Sequence, residues 1–165
     1  MYKTGDVVMY GTSGICRVAA VEKRDLTGEE QEYYILRNIY SDKNIYYVPV
    51  NNEAALGRMH PVCTKSEVDE LISHMNSEGL IWIDNDNKRK EEYSRIIKDA
   101  DKHEIIRLIK TLYLRRRELS ENGRRLRSSD ENYLGIAEDM LFEEFAYALG
   151  IDRCEVVDFI EKHLA

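Results

Sequence analysis

The feature that most constrains the fold is a change in the hydrophobic period near residue 64. Before it, residues 5–50 hold short runs rich in Val, Ile and Tyr, separated by clusters of Gly, Asp, Asn and Ser. This is the pattern of a meander of antiparallel strands. After it, apolar residues recur at helical spacing. The sequence therefore predicts an α+β protein of two domains, a small antiparallel β barrel of the SH3 or Tudor type over residues 1–63 and an all-α helical bundle over residues 64–165.

Local signals place the elements of both domains. Four strands are predicted over residues 7–10, 15–24, 33–39 and 45–50, with room for a short fifth. In the second strand, alternation places Cys16, Val18 and Ala20 on one face. Five helices are predicted, the second over residues 86–98, and four begin at capping boxes: Thr64 with Glu67, Asp101 with Glu104, Ser128 with Glu131, and Asp152 with Glu155.

Composition narrows the class of protein. No apolar run approaches the roughly 20 residues that a membrane span needs, and the first residues, Met1, Tyr2 and Lys3, are followed by a turn, not by an apolar signal region. The three cysteines are far apart, which suits a reducing compartment and implies no disulfide framework. We therefore expect a cytoplasmic protein.

The charge is divided into blocks. The formal net charge is −7, but residues 88–127 carry 14 basic and 7 acidic side chains, between acidic blocks on either side. A basic patch in an otherwise acidic protein is the electrostatic footprint of phosphate binding. The alternative is a solvated face of Glu/Arg pairs at helical spacing, which would have no partner. The predicted DNA contacts in this block are Lys88, Arg89, Arg107, Lys110, Arg117, Arg124 and Arg125.

Catalytic and metal-binding motifs are not found. The chain has no CxxC pair, HExxH motif, P-loop or dinucleotide fingerprint. His60 and Cys63 are close in sequence, but no further ligand or oxyanion motif accompanies them, so a thiol enzyme is only a third hypothesis. We predict no catalytic residue, metal, cofactor or small-molecule substrate.

Several short motifs, in order, resemble one family. Lys3-x-Gly5-Asp6-x-Val8-x-Tyr10 is followed by Gly14, then by Glu32-Tyr33-Tyr34-x-Leu36 and Tyr47-Val48-Pro49. This series resembles the amino-terminal module of CarD-type bacterial transcription regulators, which also occurs in the transcription-repair coupling factor. The resemblance continues into the helices, in residues 108–113 and 137–144.

The resemblance implies two partners. The β domain would bind the RNA polymerase β subunit, and a strand edge is a physically sensible surface for it. Arg24 matches a basic docking residue of the family, whereas Tyr47 replaces a second one, so we predict polymerase contacts at Arg24, Tyr46 and Tyr47. The helical domain would contact the backbone and minor groove of promoter DNA at the upstream edge of the opening bubble.

Two roles are considered for Trp82, the only Trp of the sequence. In the family a Trp near the start of the helical domain wedges into the minor groove. Trp82 lies in this region, but a few residues before the matching position. It either takes over the wedge role from a shifted loop or is a Trp packed where the two domains meet, and in the second case this branch lacks the wedge.

The predicted function is therefore that of a non-enzymatic regulator. It would bind RNA polymerase through the β domain and DNA, without sequence readout, through the helices, and so modulate the stability of the open complex. It would act in the bacterial cytoplasm, associated with the nucleoid through polymerase. The alternative is a protein-interaction module that does not bind DNA.

Overall fold

The structure, a computed structural model, describes residues 1–163. The chain divides into two compact units, a β unit at Met1–Val62 and a helical unit at Cys63–Ala165. The predicted α+β class is confirmed, because a five-stranded antiparallel sheet precedes a set of helices. Within the described residues, no helix combines the length and apolar character that a membrane span requires.

The β unit is one antiparallel sheet. Its strands are β1 (Val7–Tyr10), β2 (Ile15–Asp25), β3 (Glu30–Asn38), β4 (Ile45–Pro49) and β5 (Met59–Pro61), and a short helix, α1 (Glu53–Leu56), precedes β5. The strand order is β4-β3-β2-β1-β5, so β4 and β5 are the two edges and the sheet is open, not the closed barrel of the prediction. Pro49 and Pro61 lack the N–H groups that a closing ladder between these edges would use.

A β-bulge in β2 changes which side chains face the core. Val18 pairs with Leu36 and Ala20 with Ile35, so the register shifts between Val18 and Ala20. The extra residue reverses the alternation. Cys16 and Val18 pack in the core as predicted, but further along it is Val21 that joins them, and the prediction for Ala20 is wrong. The other core residues include Val8, Tyr10, Tyr34, Leu36, Val48 and Met59.

Over residues 63–163, the helical unit has five helices. They are α2 (Lys65–Met75), α3 (Asp86–Asp99), α4 (Lys102–Glu121), α5 (Ser128–Leu149) and α6 (Arg153–His163). Their apolar stripes form one core that includes Val68, Ile72, Ile96, Leu108, Leu112, Leu141 and Phe145.

The side-chain caps confirm two of the predicted helix starts and contradict a third. Thr64 and Glu67 form the complete capping box, and the Asp101 side chain accepts from the Glu104 N–H. The predicted Ser128 cap is wrong, because the extended residue before α5 is Arg127, which makes no side-chain cap bond, and Ser128 is already helical. A tertiary ion pair holds the first turn of α5 instead, through its buried Asp130.

Candidate functional site

The outer edge of β4 is open to an additional strand. Among the described residues, β3 is the only strand beside β4. The Val50 N–H donates to Glu32 O at 3.0 Å and the Asn38 N–H to Asn44 O at 3.3 Å, so the even-numbered residues from 44 to 50 bond inward to β3. The N–H and C=O groups of Ile45 and Tyr47 therefore point outward, where they can pair with an incoming strand.

The two predicted tyrosine contacts lie on opposite faces of the sheet. Tyr46 packs against the β core, and its ring centroid is 5.4 Å from that of Tyr10. Tyr47 is 44% exposed. Alternation along β4 explains the difference, since successive side chains point to opposite faces. Of these two side chains, Tyr47 is the one that offers an aromatic surface to a partner.

Arg24 lies at the far end of β2, beside the hairpin loop. Its guanidinium is exposed and donates to the Glu22 carboxylate at 2.8 Å. Since an exposed pair of this kind contributes little stability, a partner's carboxylate can compete with Glu22 for Arg24. Of the three predicted polymerase contacts, Arg24 and Tyr47 are therefore exposed to a partner, whereas Tyr46 packs mainly against the core.

An open groove of about 700 Å³ adjoins Tyr47. The hairpin residues Leu26 and Thr27 line it, together with Tyr33, Pro49 and Glu53. Leu26 is 52% exposed, although it is a large apolar side chain. Leu26 is not among the contacts predicted from the sequence, although an isolated Leu in the polar loop DLTGEE is a signal that could have found it.

In the helical unit, half of the fourteen basic residues of the 88–127 block are engaged internally. Arg95 contacts the carboxylates of Glu92, Asp99 and Glu104, and Arg107 donates to Gly79 O at 3.0 Å and lies 3.7 Å from Glu78. Also engaged are Arg89, Lys102, Lys110, Arg115 and Arg127. The remaining seven carry no ion pair within residues 1–163: Lys88, Lys90, Lys98, Arg116, Arg117, Arg124 and Arg125.

Arg89 is an internal residue, not the surface cation of the prediction. It is 1% exposed. Its Nε and Nη2 donate to the two carboxylate oxygens of Asp130, each at 3.0 Å, and Nη1 donates to Ile83 O at 2.9 Å. Asp86 accepts a further bond from Nη2 at 2.8 Å. This bidentate geometry satisfies the guanidinium, so Arg89 has no surface to offer DNA.

Lys110 is also turned inward. The prediction placed it away from the apolar stripe of its helix, but its side chain is buried. Its Nζ donates to Met75 O at 2.8 Å and to Glu78 O at 3.1 Å. A cation is favourable at the negative end of a helix dipole, and Lys110 serves the carboxyl end of α2 in this way. It is therefore unsuited to contact DNA.

Trp82 packs against the helical core and is half-buried. The guanidinium carbons of Arg89 and Arg115 lie 4.4 and 4.6 Å from its ring centroid. Its indole N–H donates to the Asp84 carboxylate at 2.9 Å. These contacts fix the ring in place, and a wedge into DNA would have to break them.

A buried polar cluster surrounds Cys63. Lys102 Nζ lies 2.7 Å from Glu144 Oε1 and 3.0 Å from Cys63 Sγ, and the Cys63 N–H donates to the same carboxylate oxygen at 2.8 Å. Burial, assisted by the charge of Glu144, raises the pKa of Cys63 to about 11, although Lys102 opposes the rise. In the described part of the chain, no three His, Cys, Asp or Glu residues are grouped to hold a metal ion.

Cys63 should consequently be a slow thiol. At pH 8 a thiol with a pKa near 11 is ionised to roughly 0.1%, and only the thiolate is nucleophilic. We expect iodoacetamide to label the exposed Cys154 first, and the labelling rate of Cys63 to rise about tenfold per pH unit up to its pKa. Mass spectrometry of timed samples measures both rates, and the urea-unfolded chain is the control. Rapid labelling of folded Cys63 at pH 8 would revive the thiol-enzyme hypothesis.

The β unit is similar to a known protein domain. Residues 2–62 match the model of the CarD-like/TRCF RID domain. The matched range contains all five strands and α1. It ends where the helical unit begins.

Proposed function

We propose that the protein regulates transcription by joining RNA polymerase to promoter DNA, because residues 2–62 match a CarD-like RNA polymerase-interacting domain. The matched domain accounts for the polymerase-binding part of this proposal. The observation that carries the proposal further is a second unit with exposed, unpaired arginines in a protein of net charge −7. The proposed role is binding, without a catalytic step, because the matched domain is one that interacts with RNA polymerase.

The polymerase contact is proposed at the β4 edge, with the β subunit as the partner. The outward N–H and C=O groups of Ile45 and Tyr47 would pair with a strand of that subunit. Beside this paired strand, Tyr47 and Leu26 would give an aromatic and apolar surface. The Arg24 guanidinium would exchange its contact with Glu22 for one with a carboxylate of the partner.

The DNA contact is proposed at the exposed cations of the helical unit. Of the residues predicted from sequence, Lys88, Arg117, Arg124 and Arg125 are exposed and without an ion pair, whereas Arg89 and Lys110 are buried. Arginine and lysine at exposed positions bind phosphates without reading the bases. Trp82 has no wedge role in this proposal, because two guanidinium groups and Asp84 hold it.

Binding to both partners would change promoter opening by linkage. A factor that binds the open promoter complex better than the closed one shifts the population toward the open complex, by no more than its differential affinity. The site of action would be the cytoplasm, with polymerase on the nucleoid. The lifetime of the open complex after addition of a competitor, with and without the protein, measures this effect.

The second candidate is a polymerase-binding module that does not bind DNA. It is favoured by the internal engagement of half of the basic residues in the 88–127 block, because these charges stabilise the helices and are unavailable to phosphates. The two candidates differ in one measurable property, the affinity for DNA at low salt.

Duplex affinity should fall steeply with salt. Four phosphates neutralised by Lys88, Arg117, Arg124 and Arg125 predict a log–log slope of roughly −3.6, at about −0.9 for each phosphate. Fluorescence anisotropy with a labelled duplex of arbitrary sequence measures the slope, and replacing all four residues by Gln should remove most of it. Arg95→Gln is the matched control, since Arg95 already contacts three carboxylates. Negligible wild-type binding at low salt would favour the second candidate.

A further inference from the structure

A small cavity of about 260 Å³ lies in the helical unit beside Trp82. Five arginines and three aspartates line it, together with Trp82 and two leucines. The loop between α4 and α5 contributes Arg124 and Arg125 to the wall, and α4 contributes Arg115. The cavity therefore brings together cations that are distant in sequence.

Two of the three aspartates of the cavity are paired with arginines, and the third, Asp84, has only a neutral donor. Asp130 and Asp86 both accept from Arg89, Arg127 also pairs with Asp86, and Asp84 accepts from the Trp82 indole. Arg124 and Arg125 have no such partner among residues 1–163, and both are exposed. Five arginines against three aspartates leave the lining of the cavity with a net positive charge, and these two side chains are its cations without an ion pair in the described residues.

A third arginine of the cavity has a donor without an acceptor. Arg115 donates from Nη1 to Glu118 at 2.9 Å, and its guanidinium lies over Trp82. Its Nε is buried and makes no hydrogen bond. A buried donor without an acceptor is unfavourable and calls for an explanation such as an unseen ligand. Since the Arg115 side chain lines the cavity, an anion bound there would bring an acceptor to this guanidinium.

We propose that this cavity is a phosphate-binding subsite, in which Arg124 and Arg125 neutralise the charge and Arg115 supplies a hydrogen-bond donor. Arginine matches phosphate because its planar guanidinium offers paired donors. The cavity is below the roughly 300–1,000 Å³ of pockets that enclose a drug-sized ligand. It therefore receives a single phosphate or pyrophosphate group of a larger molecule that stays outside.

The phosphate can come from two sources. The inference rests on the proposed function if the source is a backbone phosphate of DNA, and it is independent of that function if the source is a phosphorylated small molecule. The shared chemistry is a phosphate group recognised through its charge and oxygens. Trp82 reports on both, because it lines the cavity and is the only Trp of the chain.

The test uses the full chain, inorganic pyrophosphate and a short duplex. Both ligands should change Trp82 fluorescence, and pyrophosphate should compete with the duplex. Replacing Arg124 and Arg125 together by Gln should abolish the pyrophosphate signal and make the salt slope of duplex binding shallower by about 1.8. The matched control is Lys98→Gln with Lys162→Gln, which removes the same charge from exposed positions outside the cavity and should preserve the signal. Circular dichroism verifies that both variants fold.

Each outcome bears on a different conclusion. If the Arg124/Arg125 variant keeps both the pyrophosphate signal and the duplex affinity of the control, the subsite is wrong, and DNA binds through other cations of the helical unit. If pyrophosphate binds through these arginines and DNA does not bind, the subsite stands with a small-molecule source and the DNA proposal fails. If neither ligand changes Trp82 fluorescence and neither binds, both are wrong.

Discussion

Replacing Asp130 by Ala is expected to lower the free energy of unfolding of the helical unit by about 3–5 kcal/mol, the range for removing one partner of a buried ion pair. Asp130 and Arg89 are each only 2% exposed at the side chain, and they share two hydrogen bonds of 3.0 Å. The variant would remove the buried, bidentate partner of Arg89 and leave only Asp86, a more exposed carboxylate that Arg127 shares, which is the reason for the large cost.

Urea unfolding followed by Trp82 emission measures this loss. Trp82 is the only Trp, and Arg89 lies over its ring, so the signal belongs to the helical unit and to this contact. The control is Asp139→Ala on the same helix, where Asp139 pairs with Arg153 at the surface. An exposed pair contributes less than about 1 kcal/mol. Equal losses in the two variants would contradict the assignment of Arg89 and Asp130 as the buried anchor of α3 on α5.

The second large effect is expected on polymerase binding. Combining Arg24→Glu with Tyr47→Ala should weaken the complex with RNA polymerase by about 2 kcal/mol or more, or roughly 30-fold, since aromatic and arginine anchors dominate interfaces. Both side chains are exposed, so the fold should persist. Capture of purified polymerase on immobilised protein at several concentrations measures the affinity.

The control makes the same kinds of change elsewhere. Tyr147→Ala with Lys162→Glu removes an exposed tyrosine and reverses an exposed cation in the helical unit. It should leave polymerase affinity within about twofold of the wild type, because residues outside an interface contribute little to binding. Equal affinity for the Arg24/Tyr47 variant and this control would show that polymerase binds at another surface of the β unit.

A backbone variant separates strand pairing from side-chain contact. The Ile45 N–H points away from β3, so Ile45→Pro removes an outward donor and leaves the inward ladder intact. We expect Ile45→Pro to weaken polymerase binding and Ile45→Ala to change it little. If both variants bind as the wild type does, the partner does not pair with the β4 edge.

Local sequence patterns predicted the class of the fold and many element boundaries. The period change separates strands from helices, and the Thr64/Glu67 and Asp101/Glu104 caps begin helices where predicted. These predictions are correct because the pleat of a strand, the repeat of a helix and a helix cap each depend on residues at most a few positions apart. The family motifs likewise pointed to the domain that residues 2–62 match.

The failures share a different origin. Arg89 and Lys110 look like surface cations along their own helices, but their acceptors, Asp130 and the Met75 carbonyl, are 41 and 35 residues away. The bulge in β2 depends on its pairing with β3, and no local signal marks it. Leu26 becomes a candidate contact only because the fold places it in the same groove as Tyr47.

The sequence by itself determined that a strand-rich unit precedes a helical one, and that the helical unit carries a block of positive charge. The tertiary structure decided which of those charges can reach a partner. The physical reason is that burial and pairing of a charge depend on groups brought together from distant parts of the chain, whereas the periodicity of strands and helices is a property of neighbouring residues.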